Sequence, residues 1–557
     1  MSDPSLVAHY FNEFFINVGP NTAAKIPDTG KNPKDYLKGN FLNSFYAAPV
    51  TEEEINNILK CLNDSACGWD EIDSKIVRTA RHVLIHPIVH ICNLSLANGV
   101  FPQQLKIAKV VPLHKGDDPS LFSNYRPISI LPLFSKVFER IMYNRLINYL
   151  NSRKILYSYQ FGFRKNHSAA MALILLVDKI SKALENGDYV IGLFLDFSKA
   201  FDTINFDMLL DKLDHYGIRG CSLDWFRSYL TDRKQYVYYN GVSSTMRTTS
   251  CGVPQGSILG PLLFLIYVND LATVSEYIFS ILFADDTNMF MSGKNMQELE
   301  QKFNSEMIKV FQWIETNKLS LNIKKTQFML FHGKRIVDHV PNIVINGIAI
   351  SSTKSIKFLG VMVDDKLSWK THIDYISNKV SKSIGVLYKL HNYLDCKTLR
   401  GLYFSFIYPY LTYCNEVWGL SYSSYRNRLF LLQKRAVRII CHSPCKRTHT
   451  DPLFKDLGLL KLHNINIYLV QLFMFRYNSH KLPPIFDNMF SKNSDVHNYN
   501  TRQSSLLHVP LPKTNLTKMS VAYAGVIKWN VYLQCINPYC SLDIYKKRLK
   551  SYLLGNQ

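Results

Sequence analysis

The sequence predicts a mixed α and β fold divided into several structural units, and three observations carry that reading. Its 557 residues exceed what one hydrophobic core usually serves. Short apolar strands alternate with amphipathic helices from about residue 108 to residue 369. Beyond that point the periodicity is mainly helical, and a hydrophobic fraction of 47% excludes wholesale disorder.

Taken in order, residues 1–48 scatter Asn, Lys, Pro and Gly between short aromatic groups and read as a connector. Thr51 then opens a helix as its N-cap, with Glu54 three residues on as a capping box. The helical stretch runs to about Asn98, and Phe101-Pro102 ends it. Residues 189–195 are nearly continuous apolar, like a strand covered on both faces, and deliver Asp196 at the C-terminal end, near the sheet's edge. Residues 278–284 lead into Asp285-Asp286 and residues 287–291 lead out, which makes a hairpin with two acids at its turn. Residues 258–271 are so apolar around the helical circumference that they must be buried. A second acidic pair, Asp364-Asp365, follows the apolar run 358–363, but no return strand follows it, so it reads as an ordinary turn. In 426–440, Leu429, Leu432, Ala436, Ile439 and Ile440 share one helical face, while Arg428, Lys434, Arg435 and Arg438 fall elsewhere around the wheel. Those cations form either a solvated face or one that tracks a phosphate backbone.

Lys and Arg number 65 against 43 Asp and Glu, a formal charge of +22, which points to a polyanionic partner such as nucleic acid. A basic protein that merely stays soluble is the bland alternative. The 11 scattered cysteines read as reduced thiols in a reducing compartment. Cys441, His442, Cys445 and His449 lie near one another, but their spacing matches no standard zinc pattern. The N-terminus lacks the basic start and apolar core of a signal peptide. Residues 401–420 contain Pro409, Asn415 and Glu416 among many tyrosines and fit a buried helix better than a membrane span. An intracellular protein without a membrane segment is expected.

Two adjacent like charges are costly to hold unless something positive sits between them, so Asp285-Asp286 between apolar strands suggests a bound cation. Three oxygen donors without His or Cys suit hard magnesium. In phosphoryl transfer, two such ions about 3.5 to 4 Å apart activate the attacking hydroxyl and stabilise the leaving oxygens. Taken in isolation, Asp285-Asp286 would read as a plain polar turn.

Three segments carry a resemblance: 189–207 (YVIGLFLDFSKAFDTINFD), 252–271 (GVPQGSILGPLLFLIYVNDL) and 283–286 (FADD). In order and spacing they resemble the palm motifs of reverse transcriptases from non-long-terminal-repeat, LINE-type retrotransposons, most closely jockey-like elements. Residues 110–145 and 160–173 are similar to that family's fingers, and 313–331 and 358–369 to its later palm and primer-grip motifs. Residues 497–502, Trp529-Asn530 and 546–554 are similar to its C-terminal end. The resemblance implies an α+β right-hand polymerase with fingers, a palm bearing an antiparallel sheet, a helical thumb and a helical C-terminal region. The boundaries it implies are a helical extension at 49–94, fingers and palm at 95–364, a thumb at 365–445 and a C-terminal region at 446–557.

The resemblance further implies that Asp196, Asp285 and Asp286 hold two Mg2+ ions with help from the backbone carbonyl of Phe197. Phe201 corresponds to the aromatic gate under the incoming sugar, or else is a core phenylalanine. Lys115 and Arg126 match the triphosphate contacts, where an Arg fork suits phosphate geometry. Gln255 and Gly256 would lie beside the templating base pair, the glycine letting backbone approach closely. Lys325, with Lys324 as a rival, matches the lysine that protonates pyrophosphate. Arg164, Lys165, Phe358, Leu359, Gly360, Arg428, Arg435 and Arg438 are the expected nucleic-acid contacts. The partners implied are an RNA template, a DNA primer and dNTPs.

Three departures from the family stand out. Phe283 replaces the tyrosine of the retroviral box, and Ser168-Ala169 stands where Ser-Thr is frequent. Only about 48 residues precede the resemblance, whereas the family's nicking endonuclease is a domain of roughly 200 residues. A missing or separate endonuclease is therefore expected, as in a truncated copy or partial gene model. Maturase and telomerase polymerases share the palm but lack the jockey-like tail. A domesticated RNA-binding scaffold would predict an eroded metal site, yet all three acids are present.

Overall fold

The computed structural model describes residues 3–333, 339–442, 449–496 and 502–556. Strands β1 (Ile107–His114) and β2 (Tyr125–Ile130) pair antiparallel and start the first sheet. β3 (Tyr189–Leu195) lies in a second, central sheet. β4 (Lys234–Tyr239) returns to the first sheet parallel to β1, with β5 (Val242–Ser243) and β6 (Arg247–Thr248) antiparallel to β4. β7 (Phe279–Phe283), β8 (Asp286–Gly293) and β9 (Gln327–Phe331) join the central sheet. After the small hairpin of β10 (Val344–Ile345) and β11 (Ile348–Ala349), β12 (Ser351–Ser352) completes the central sheet in the order β12-β9-β3-β8-β7. A separate hairpin of β13 (Ser355–Phe358) and β14 (Val361–Asp364) precedes the helical remainder.

The central sheet is covered on both faces, as the apolar run at β3 predicts. Ile191, Leu193 and Leu195 pack with the buried helix Gly260–Tyr267 and with Leu299, Phe303 and Val310 of the helix Met296–Thr316. Val190 and Phe194 face the helix Ala169–Glu185 and the C-terminal helices. Alternation along an extended strand sends successive side chains to opposite faces, so β3 joins two cores and is fixed in register by both. Gly192 is required in its middle, because a Cβ there would stand 2.8 Å from the Phe290 ring.

Residues 1–48 are not simply a connector. They contain a 20-residue helix, Pro4–Ala23, whose Ala8, Phe11 and Phe15 bury against Val110 and Val237 of the first sheet and Leu131 just beyond it. Asp3 caps it, accepting from the Ser5 amide at 2.9 Å, and Pro4 occupies its first turn. That Asp-Pro start was the available signal.

Thr51 caps the helix Glu52–Lys60, accepting from the Glu54 amide at 3.2 Å. The expected box does not close, because the Glu54 carboxylate is paired with Arg145 at 2.8 and 2.9 Å. The helix Arg81–Asn98 stops at Gly99, whose φ of 64° and bond to the Ser95 carbonyl end it before Phe101-Pro102 is reached.

Residues 401–420 are broken among the helices Cys396–Phe406, Tyr408–Thr412 and Asn415–Trp418. Among the described residues no helix is long and apolar enough to cross a membrane. Cys445 of the candidate knuckle, and residues 497–501 of the tail resemblance, lie outside the described residues.

Asp364 does more than turn the chain. Its carboxylate accepts from the amides of Lys366 (3.2 Å), Ser368 (2.9 Å) and Trp369 (2.9 Å) and from the Ser368 hydroxyl (3.2 Å), seating the start of the helix Lys370–Leu390. Asp364→Ala strands those donors and is expected to cost about 1–3 kcal/mol. A thermal melt that does not move would contradict this role.

Candidate active site

The register of the central sheet brings the three acids to one end. Leu195 lies opposite Thr287, so Asp196 leaves β3 beside Asp286, the first residue of β8. Phe283 pairs with Asp286, which leaves Ala284 and Asp285 as the hairpin turn. Ala284 adopts φ +58°, a left-handed conformation that costs a non-glycine residue about 1–2 kcal/mol and must be held by its surroundings.

A strap formed by residues 159–162 holds it. Gln160 Oε1 accepts from the Ala284 amide at 3.1 Å and from the Gly162 amide at 2.8 Å. The Phe161 amide donates to Leu282 O at 2.8 Å, and the Leu282 amide to Tyr159 O at 3.0 Å. Gly162 allows this approach, since a Cβ there would lie 2.2 Å from the Ala284 nitrogen. On the other side, the Asn322 amide donates to Asp196 O and the Ser198 amide to Ser320 O, each at 2.8 Å. Those two bonds leave the Phe197 carbonyl unused by the bridge.

The carboxylates act on one another. Desolvation, then repulsion from Asp285 and Asp196, pushes Asp286 up to about 6. Desolvation and the charge of Asp196 also raise Asp285, against the opposing pull of Arg126. Both side chains keep solvent access, as acids at the mouth of a cleft would. Among the described residues no three His, Cys, Asp or Glu side chains are gathered into a ready-made metal cluster. The arrangement is thus three mutually repelling oxygen donors, a charge set that suits a hard divalent cation.

One cation of the first sheet reaches the acids, and others gather around it. Arg126 lies opposite Leu113 in the β1–β2 register and acts on Asp285. Partial burial, followed by the like charges of Lys199, Arg126 and Lys325, pulls the Lys115 ammonium below its usual range. Lys115, Arg126 and Lys325 are therefore one electropositive group. Lys324 is exposed beside Lys325 in the same turn.

Phe201 is half-buried, stacked on Phe264 with ring centroids 4.5 Å apart and met edge-on by Phe163 at 6.2 Å. Gln255 accepts at its carbonyl from the Ser129 amide of β2 at 2.8 Å. Gly256 has φ +133°, and a Cβ there would lie 2.4 Å from Ser129 O, so only glycine fits. Behind this turn, the buried Glu139 accepts from Tyr229 at 2.9 Å and from the Ile258 amide, fixing the approach to the helix Gly260–Tyr267.

Several expected nucleic-acid contacts are otherwise engaged. Arg164 Nη1 donates to the carbonyls of Tyr157 (3.0 Å) and Gln160 (3.3 Å), so it supports the strap, while neighbouring Lys165 is exposed. Phe358 is 3% exposed and packs edge-on against Phe194, so its ring is core. Leu359 and Gly360 form the tip of the β13–β14 hairpin, where Tyr413 donates to Leu359 O at 2.7 Å. Arg428 pairs with Asp374 at 2.8 Å. Arg435 is exposed and Arg438 half-buried on the helix Ser423–Ile440.

Sequence reasoning missed Gln160 and Glu139 as supports. Their partners lie 124 and 119 positions away, and no local pattern marks such a pairing.

Residues 113–363 match the model of the family described as reverse transcriptase (RNA-dependent DNA polymerase). The chain is 29% identical over 459 residues to the RNA-directed DNA polymerase from mobile element jockey of Drosophila melanogaster, covering 80% of this chain and 50% of that protein. It is 29% identical to the probable RNA-directed DNA polymerase from transposon BS of Drosophila melanogaster, covering 74% of this chain and 46% of that one. With the Pol polyprotein from the type-1 retrotransposable element R1 of Bradysia coprophila the identity is 28%, over 72% of this chain and 40% of the relative. The chain spans half or less of the length of these curated relatives.

Proposed function

From the reverse transcriptase domain at residues 113–363, we propose that this chain is an RNA-directed DNA polymerase of a LINE-type, jockey-like element. It would add dNTPs to a primer 3′ end by two-metal phosphoryl transfer. The observation that carries the reading is the meeting of Asp196, Asp285 and Asp286 at one end of the central sheet, close enough to repel and faced by Arg126. In this reading the first sheet belongs to the fingers, the central sheet is the palm, and residues 365–445 are the thumb.

Asp196, Asp285 and Asp286 would hold two Mg2+ ions, which when bound supply Lewis acidity to the attacking 3′ oxygen and to the phosphate oxygens. The primer 3′-hydroxyl gives up its proton to solvent as its oxygen attacks the α-phosphorus of the dNTP, a new P–O bond forms, and the bond from that phosphorus to the α,β-bridging oxygen breaks to release pyrophosphate. Lys115 and Arg126 would bind the triphosphate's charge, with Arg126 offering a fork to two oxygens. Lys325, in the same cationic group, would supply the proton that pyrophosphate takes up on leaving. Phe201 would exclude a ribose 2′-hydroxyl, and the Gln255–Gly256 turn would carry the nascent base pair against β2. The direct test is magnesium-dependent extension of oligo(dT) on poly(rA).

The net charge of +22 gives a second expectation. The logarithm of affinity for primer-template should fall linearly with log salt, because phosphate contacts release condensed counterions. Neutralising Arg435 and Arg438 together should flatten that slope by about 1 to 2, the share of two phosphate contacts. An unchanged slope in a fluorescence-anisotropy titration would return both arginines to a merely solvated face.

A further inference from the structure

We propose that Asp202 is a positioning residue for nucleotide selection, fixing the Gln255 side chain from behind without touching substrate or metal. This rests on the polymerase reading and deepens it. Asp202 follows Phe201, and its Oδ1 accepts from Gln255 Nε2 at 2.7 Å. A charge-assisted bond of that length holds a long side chain in one rotamer.

The backbone around the pair is closed as well. The Gly252 amide donates to Ile204 O at 2.9 Å, the Val253 amide to Phe201 O at 3.0 Å, and the Cys251 thiol to Asp202 O at 3.4 Å. Gln255 is held from the opposite side by the Ser129 amide, three residues after Arg126 on β2. One hydrogen-bonded series therefore runs from the loop carrying Phe201, through Asp202 and Gln255, to the strand carrying Arg126. The helix Pro4–Ala23 presses on the same loop: a Cβ at Gly19 would lie 2.2 Å from Asp202 O and 2.4 Å from Cys251 Sγ.

Asp202 is an expensive residue for this place if packing were its only task. Its second oxygen, Oδ2, is buried without a hydrogen-bond partner, and the residue lines a cavity of about 50 Å³ together with Phe15 and Ile16. Arg233, whose Nη2 is likewise buried without a hydrogen-bond partner, is another lining residue. Burial raises the Asp202 carboxyl above its usual range, opposed by the bond from Gln255 and by the charges of Lys199 and Lys115. An apolar side chain would avoid that cost, but it could not hold Gln255.

The test is single-nucleotide insertion of dTTP on poly(rA)/oligo(dT), with thermal melts alongside. Gln255→Glu sets two carboxylates against each other and should raise the dTTP KM about tenfold or more, kcat changing less. Adding Asp202→Asn restores an amide-to-carboxylate bond with the roles exchanged and should recover KM to within about threefold of the unsubstituted chain. Asp202→Asn alone keeps an acceptor and should change KM little, whereas Asp202→Ala should raise it. The Asp202→Ala increment should vanish in a Gln255→Ala background. Multiplying effects in that background, or no rescue by Asp202→Asn, would overturn the assignment. So would a loss confined to kcat and melting temperature. If the unsubstituted chain extends no primer, the polymerase reading itself falls; if it extends and KM ignores Asp202, only this assignment does.

Discussion

Asp285→Asn is expected to lower primer extension by on the order of 10³-fold or more, since in the proposed two-metal reading the carboxylate would help hold cations whose charge would supply several kcal/mol of transition-state stabilisation. Affinity for primer-template should stay within about twofold, because phosphate contacts arise elsewhere on the basic surface. Asp196→Asn should behave alike. The physical reason is the geometry at the end of β3 and the β7–β8 turn, where burial and then the charge of Asp196 raise the Asp285 carboxyl, and burial and then the charges of Asp285 and Asp196 raise that of Asp286. Removing one charge relieves that repulsion, so the substituted protein should fold at least as stably while losing its hold on the cations. Asp364→Asn is the matched control: it alters a structural carboxylate seating a helix, so extension per folded molecule should persist even as the melt shifts. Wild-type extension by Asp285→Asn, or its loss in folded Asp364→Asn, would show that the wrong acidic pair has been assigned.

Phe201→Val is expected to produce the second large effect, a fall in the preference for dTTP over UTP of about 10²-fold, arising mostly from better ribonucleotide use. The ring is only half-buried and stacks on Phe264 at 4.5 Å, and in the proposed reading its open part would meet the sugar. Removing it opens space for a 2′-hydroxyl but also deletes part of a packed aromatic pair. A stability loss of about 1–3 kcal/mol should therefore accompany the change, less than for a fully buried phenylalanine cut to alanine. Ratios of kcat/KM for dTTP and UTP on one primer-template separate the two roles. Equal loss for both nucleotides would make Phe201 packing alone.

The parts of the fold that were readable from the chain are those where a local pattern reports a tertiary fact. The unbroken apolar run at β3 announced a strand covered on both faces, and its register against β8 brings Asp196 beside Asp286. The apolar circumference of 258–271 likewise announced the buried helix Gly260–Tyr267. Failures came where composition masked a cap, as at Asp3-Pro4, or where a side chain's partner is distant. Arg164 reads as a nucleic-acid contact because nothing local shows that its guanidinium holds the carbonyls of Tyr157 and Gln160. Phe358 looked like a primer contact because a strand-end aromatic next to Leu359-Gly360 gives no hint of which face it takes, and it takes the core. Gln160 and Asp202 were invisible as supports for the same reason: their bonds join segments that only the folded sheet brings together.

The central claim, that the acids at the end of the central sheet catalyse RNA-directed DNA synthesis, meets its most direct test in one measurement. Purified protein is given poly(rA)/oligo(dT), dTTP and magnesium, and extension is followed with Asp285→Asn in parallel. The account predicts primer elongation that requires both the RNA template and the divalent cation and is absent from the variant. No elongation by the folded, primer-template-binding protein, or elongation that survives in Asp285→Asn, would contradict it.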